Sequence, residues 1–457
     1  MFKYSLAILV RQLGRAAIAL VVISTFALAD DFAPKSDEQQ LPTDMHSKMS
    51  EHPTVTVGRV GTDLIGADNR ALQAAVDYVA GLGGGVVEIG EGEYLMRDSL
   101  HLRSNITVRG HKGKSILRKA DAAVSRLTLD GDFGEQQITV ADASGFAVGA
   151  GVAIWDDNAG GFHTTVARIT GRRGNSFSID VPLMADCMVA NHATAATVFP
   201  VVSGSNIKGA HIEDLVIEGN KGANPSLNGC RGAGIYLNLA YGTAIQGCVV
   251  RAYHGDGISF QQSNDVSVVD CVSEDNTDLG FHPGSGSQRP VVRNNLARRN
   301  GTDGLFLCWR VRHGVFENNR MESNGRFGIS IGHKDSDNVL RGNHVARNAS
   351  NGVFFRDEPT GMSPHRNRLE KNVIEDNGRE PGTAGIRIRG VPAGLVFENN
   401  VIRDTRSGSQ QTQSVGILVE DRVGPVQIGS NQIEAGKPVD DRRRSETQSG
   451  SQEQSTP

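Results

Sequence analysis

Lys334, Arg356, His282 and His333 are the side chains of this 457-residue sequence best suited to moving a proton. Histidine titrates near neutral pH, so His282 and His333 are candidate bases. Lysine and arginine supply the positive charge that a developing enolate requires. Together these types point to β-elimination, in which a base removes the proton beside a uronate carboxylate and the glycosidic oxygen is expelled. Around them stand residues suited to holding an anionic sugar chain. Arg310, Arg312 and His313 carry donors, Phe306 and Trp309 carry flat apolar faces, and Asp335, Asp357 and Glu358 carry acceptors. Two other chemistries remain open. Asp303, Asp335, Asp357 and Glu358 are the acids available to a glycoside hydrolase, which needs two carboxylates facing one groove. The same patch on a non-catalytic surface protein would bind glycans without turnover.

Charge along this stretch is segregated. Residues 251–280 hold Asp256, Asp265, Asp270, Glu274, Asp275 and Asp278 against Arg251, whereas residues 285–313 hold Arg289, Arg293, Arg298, Arg299, Arg310 and Arg312 against Asp303. One reading pairs these charges across a solvated face. The other sets the arginines against an anionic polymer and leaves the carboxylates to hold a cation, with Ca²⁺ expected because it takes several oxygen ligands. No particular acids stand out as its ligands. An anionic polysaccharide is thus the expected partner, rather than nucleic acid or a membrane.

The spacing of these residues comes from a repeat. Glycine, apolar, any, apolar recurs from Gly234 through Gly257, Gly280, Gly304, Gly328, Gly352 and Gly385 to Gly416, in steps of 23, 23, 24, 24, 24, 33 and 31 residues. The apolar alternation has period 2, the mark of a strand, which excludes a helical repeat. Residues one and three after each glycine point inward, and those two and four after point out. One outward column is then Tyr236, Ser259, His282, Phe306, Ser330, Phe354 and Arg387, and beside it run Gln261, Gly284, Cys308, Gly332 and Arg356. Lys334 and Arg356 fall on neighbouring coils.

Two asparagine columns keep the same rhythm. One runs Cys248, Cys271, Asn295, Asn319, Asn343, Asn372, Asn400 and Asn431, and the other Asn276, Asn300, Asn324, Asn348 and Asn377. Equivalent residues on stacked strands lie about 4.8 Å apart, so buried amides can pass hydrogen bonds from coil to coil. These asparagines are structural. Cys248 and Cys271 head the first column and either bridge or stack as apolar groups. Five cysteines in an exported chain of this length make no disulfide framework, and the odd number leaves a thiol free.

An open stack needs protected ends. Ala71, Leu72, Ala75, Val76 and Val79 have helical spacing between Asp68 and Gly81, which predicts a helix over the first coil. The coil rhythm lapses over 127–200, where short antiparallel strands predict an insertion that walls a groove or guards an edge. Residues 1–29 read as a cleavable export signal, with Lys3, Arg11 and Arg15 ahead of an apolar run ending Ala27-Leu28-Ala29. The expected location is secreted or periplasmic. Residues 30–55 read as a disordered linker, 56–435 as the body and 436–457 as a disordered tail.

The runs Gly66-Ala-Asp-Asn-Arg-Ala-Leu-Gln-Ala-Ala-Val-Asp77, Gly83-Gly-Gly-Val-Val-Glu-Ile-Gly-Glu-Gly-Glu-Tyr94 and Ser104-Asn-Ile-Thr-Val-Arg-Gly110 resemble the opening of pectate-lyase-like proteins. The resemblance covers about residues 58–435 and implies an all-β, single-stranded right-handed parallel β-helix. Some lyases of that superfamily use a Lys and an Arg on adjacent coils with Ca²⁺ nearby, and Lys334 with Arg356 resembles that pair. Leu279-Gly-Phe-His-Pro-Gly284 resembles the Tyr-Gly-Phe-Asp-Pro-His stretch of mannuronan C5-epimerases, departing from it at Leu279, His282 and Gly284. The polygalacturonase pattern of Asn-x-Asp, Asp-Asp, Gly-His-Gly and Arg-x-Lys is absent. The resemblance therefore implies a carbohydrate-active enzyme, foremost a polysaccharide lyase, with hydrolase or uronan epimerase as alternatives.

Overall fold

Three parallel sheets of 13, 11 and 11 strands run the length of the body; from Gly85–Ile89 onward each coil contributes one strand to each sheet, and Thr54–Gly58 and Leu64–Ile65 extend the first sheet at its edge. Ser267–Val269 pairs with Val291–Arg293, which pairs with Val315–Glu317, so sheet neighbours lie a coil apart in the chain. The computed structural model describes residues 51–443. The leader and nearly all of the expected linker lie outside the described residues.

The corners explain why so short a repeat can close. The residue before each member of the first column as far as Asn400 has a left-handed backbone, as at Asp270 (φ 55), Asn294 (φ 59), Asn318 (φ 56), Lys371 (φ 55) and Asn399 (φ 56). One such residue turns the chain sharply enough to begin the next strand. The asparagine that follows points inward and ties the turn down. Asn319 Nδ2 donates to Asn343 Oδ1 (3.0 Å) and to the Val292 carbonyl (2.8 Å), while its Oδ1 accepts from Asn295 Nδ2 (2.9 Å). The second column behaves alike and ends on a substitute, because Asn377 Nδ2 donates to Gln413 Oε1 (2.9 Å). A third column escaped the sequence reading: Asn338 Nδ2 donates to Asn367 Oδ1 (3.1 Å). Cys248 and Cys271 are free thiols, stacked and buried, and the Cys271 amide donates to Asn295 Oδ1 (2.8 Å).

The glycine that opens each coil packs against the next one. A Cβ on Gly280 would lie 2.5 Å from the Gly304 carbonyl oxygen and 2.9 Å from Asn300 Nδ2. Inside, Ile258, Phe281, Leu305, Ile329, Val353 and Ile386 line one wall of a continuous apolar core.

Helix α1 (Asn69–Gly81) covers the first coil through Leu72, Ala75, Val76 and Val79, and Asp68 caps its N-terminus by accepting from the Arg70 amide (3.0 Å). Two boundaries differ from expectation. Strand Thr54–Gly58 already belongs to the first sheet, and strand Lys437–Asp441 pairs with Val415–Val419, so the solenoid runs into both segments expected to be disordered. In the tail, Val439 pairs in register with buried Ile417 and packs against the core while Asp440 falls beside Leu418, a strand register that the charged composition masks. Between Val124–Arg126 and Thr194–Ala196 the chain forms a six-stranded antiparallel sheet with its own core, including Ile138, Phe146, Ile154, Ile169 and Phe177. Arg168 Nε holds this insertion to the helix through Asp98 Oδ2 (2.7 Å).

Candidate functional site

Register places Ser259 beside His282, and Phe306, Ser330, Phe354 and Arg387 in succession, on one sheet face. His282 is nearly enclosed there. Its Nδ1 lies 2.7 Å from Asp256 Oδ2, and Phe306 meets its ring edge-on at 5.4 Å between centroids. A carboxylate only accepts, so Nδ1 donates to Asp256, and in the neutral imidazole Nε2 keeps its lone pair. That Nε2 is buried without a partner among the described residues, as is Gln261 Oε1 one coil back. Gln261 Nε2 donates to Ser259 Oγ (2.8 Å), which fixes the amide's orientation, and Gly284 next to it leaves the space free of a side chain. Two adjacent acceptors thus await a donor. The segment 224–232 closes over them, with the Gly229 carbonyl accepting from Ser259 Oγ (2.6 Å). A Cβ on Gly229 would fall 1.7 Å from Asp256 Oδ2.

Arg356 is differently placed. Its guanidinium lies over the Phe306 ring at 4.3 Å and donates to Ser330 Oγ (2.9 Å), the Leu307 carbonyl (2.6 Å), Asp335 Oδ2 (3.2 Å) and His333 Nδ1 (3.3 Å). Arginine can only donate, so His333 Nδ1 accepts and Nε2–H is left to Glu358 Oε1 at 3.1 Å. Burial and the Arg356 charge hold the His333 imidazole below its usual range. With both nitrogens engaged, His333 is no free base. Asp335 is fully enclosed and accepts from the amides of Val311 (2.9 Å) and Gly332 (3.1 Å). Burial pushes its carboxyl up to about 7, against the pull of Arg356 and those amides.

Just past the strands, two tight turns stack. Trp309 and Arg310 on one coil, and His333 and Lys334 on the next, all have left-handed backbones, and the Arg310 amide donates to the His333 carbonyl (2.8 Å). Trp309 is 43% exposed and stacks on His333 at 5.2 Å with an interplanar angle of 17°. This register sets Lys334 beside Arg310. Arg356 is engaged by acceptors of its own network, and half-buried Lys334 lies in the turn past the strand on the preceding coil. Neither Arg310 nor Lys334 has a side-chain carboxylate partner among the described residues. His313 is exposed on the same coil, and Arg312 Nε is buried without a partner.

The segregated charges largely cancel between coils. Arg289 pairs with Asp265 (2.7 Å), Arg298 with Glu274 (2.7 Å), Arg299 with Asp275 (2.7 Å) and Arg293 with Glu317 (2.6 Å). The acids considered for hydrolysis are also engaged, Asp303 by Arg326 (2.7 Å) and Asp357 by Arg389 (2.9 Å). Among the described residues no three His, Cys, Asp or Glu side chains come together to hold a metal ion.

Asp256 and Gln261 were missed as partners of His282. A signal existed. Asp256 and Asp303 occupy the same position before a coil-leading glycine, and each accepts from the amide one coil on, at 3.1 Å from Leu279 and from Phe327. The second oxygen is then free, and in Asp256 it meets a histidine.

Stacked parallel sheets with asparagine-tied corners make this chain a right-handed parallel β-helix protein. Within that class, the profile of a family described as periplasmic copper-binding protein (NosD) matches residues 207–422, the coils that carry the site. Among solved structures the chain is similar to the A-module of mannuronan C-5 epimerase AlgE6 from Azotobacter vinelandii, at 16% identity and TM-score 0.50, over 81% of this chain and 93% of that one. It is also similar to ORF18 of Geobacillus virus E2, at 11% identity and TM-score 0.51, over 83% of this chain and 61% of that one. Both likenesses concern the fold. No curated protein matches the sequence. Among the described residues no helix is long and apolar enough to cross a membrane. The family description names copper, but the site does not fit a copper centre: His282 Nε2 is its one open imidazole donor, both His333 nitrogens are held by protein partners, and among the described residues no three His, Cys, Asp or Glu side chains converge around it.

Proposed function

We propose that this protein is an exported enzyme acting on an anionic polysaccharide, with His282 as the base that removes the proton beside a uronate carboxylate. The observation that carries the reading is the His282 Nε2 lone pair, oriented by Asp256 at 2.7 Å and left without a partner among the described residues. Trp309 offers a sugar ring a flat apolar surface. Arg310 and Lys334, a coil apart and without carboxylate partners, hold the polymer's carboxylates. The C5 proton passes to Nε2, its electron pair moves toward the carboxylate and then forms the C4=C5 double bond as C4–O breaks, and the leaving oxygen takes a proton from the His282 imidazolium or from water. Return of a proton to the opposite face of C5 instead gives epimerisation. The likeness to the AlgE6 A-module is compatible with either outcome. Substrate reaches the base only when segment 224–232 yields.

The test is incubation of the purified protein with alginate, pectate and glycosaminoglycans, with and without Ca²⁺. Ultraviolet absorbance of an unsaturated product, or a changed uronate composition by NMR, is expected for one polymer and is abolished in His282→Ala. Neither signal on any polymer overturns the catalytic reading. A second reading, glycan binding without turnover, is favoured by the contrast between exposed Trp309 and enclosed His282. Binding on a glycan array that depends on Trp309, together with no product, would select it.

A further inference from the structure

The insertion does more than guard an edge. Between it and the first coils lies an open cavity of about 660 Å³, within the roughly 300–1,000 Å³ of small-molecule sites. The helix side supplies Arg97, Arg118, Lys119 and Asp121, the insertion supplies Phe146, and the returning chain supplies Phe199. We propose that this cavity binds a carboxylated sugar of one or two residues, at a site separate from the His282 face.

Lys119 is the reason. It occupies an inward position on strand Ser115–Lys119, where the preceding inward residue is Leu117, and it is 1% exposed. Its ammonium donates to the carbonyls of Thr197 (2.8 Å) and Ala120 (3.0 Å) and lies 4.1 Å from the centre of the Phe199 ring. Those groups solvate the cation without neutralising it, and no carboxylate pairs with it among the described residues. Two of its three donors are used. An uncompensated buried charge is costly, and an apolar side chain would fill the same position at less cost. Burial accordingly pulls the ammonium down to about 7. A bound carboxylate would supply the missing counter-charge and accept from the third donor.

The rim agrees. Arg118 touches Glu93 at 3.3 Å with both groups half exposed, Asp121 accepts from Asn220 (2.7 Å), and the Arg97 guanidinium has no carboxylate partner among the described residues. Cations therefore outnumber acids, while Phe146, Phe199 and neighbouring alanines form apolar walls suited to the C–H face of a sugar. That apolar lining selects a sugar acid over a small, strongly hydrated anion. The inference does not rest on His282 chemistry.

Titration calorimetry of the full-length protein with glucuronate, galacturonate, mannuronate and their disaccharides tests it, with glucose and inorganic phosphate as controls. Saturable binding of one of the acids is expected, weakened at least about tenfold in Lys119→Met and clearly in exposed Arg97→Ala, and unchanged in Trp309→Ala. Arg97→Ala keeps the test valid should Lys119→Met unfold. No saturable binding by the unaltered protein, equal binding in both cavity variants, or equal binding of phosphate or glucose would each overturn the proposal. His282→Ala should leave the binding intact, so failure of one site is read separately from failure of the other.

Discussion

The asparagine corners and the His282 face are built on the same coils, yet they treat buried polar groups in opposite ways. At the corners each coil repeats the last, and each amide donates to a neighbour that the repeat itself provides. On the face, repetition is interrupted by histidine, glutamine, arginine and tryptophan. Of the seven buried side-chain atoms without a partner among the described residues, four are Gln261 Oε1, His282 Nε2, Arg312 Nε and Arg356 Nε, and none belongs to a corner asparagine. Self-completing polar groups stabilise a solenoid. Incomplete ones mark where something from outside completes it.

Four changes would break or sharpen that contrast. His282→Ala should lower turnover of the responsive polymer by about 10²–10⁴-fold, the usual contribution of a general base, and should also lower the melting temperature because buried Asp256 loses its partner. Gly229→Ala should copy the loss by forcing Asp256 away, and here stability should drop too. Turnover that survives both changes removes chemistry from the face. Asn319→Ala should cost about 3 kcal/mol in urea unfolding, because the Val292 carbonyl and the donors of Asn295 are left buried and unpaired. A loss near zero would mean the corners hold without their amides. Trp309→Ala should weaken glycan binding by on the order of 1 kcal/mol, read by calorimetry, and leave unfolding unchanged.

A further effect is a slope with pH. Asp335 titrates near 7 in the folded protein and near 4 when unfolded, so its folded form favours the proton. That contribution is fully present below about pH 4 and fades as pH rises through about 7. Relative to the unaltered protein, Asp335→Asn should therefore gain melting temperature progressively between those limits. A constant difference across that window would show that Asp335 stays ionised throughout.

Much of this architecture could be read from residue order, because a constant coil length prints structural neighbours at constant spacing. The columns headed by Gly234 and Asn295, the capping helix and the placement of His282 beside Phe306 follow from spacing alone. Pairing across coils did not. Whether Arg298 meets Glu274 or a ligand depends on side-chain reach, and whether Lys334 lies by Arg356 or Arg310 depends on a turn with two left-handed residues. Asp256 was hidden because its bond to His282 runs between coils, 26 residues apart in the chain, and depends on which carboxylate oxygen the Leu279 amide leaves open. Strand Lys437–Asp441 was hidden because charged residues occupy outward positions that composition alone cannot tell from a solvated tail.

The direction of the asparagine chains has a consequence for assembly. From Asn295 to Asn400 each amide donates one hydrogen to the side chain on the later coil and the other to a carbonyl of the coil before, and no link reaches back past one turn. A growing end therefore always offers a row of donors, and the next stretch of about one repeat is enough to engage it. The rod can be laid down in the order in which its chain is delivered, starting from the turn sealed by α1, without waiting for its far end.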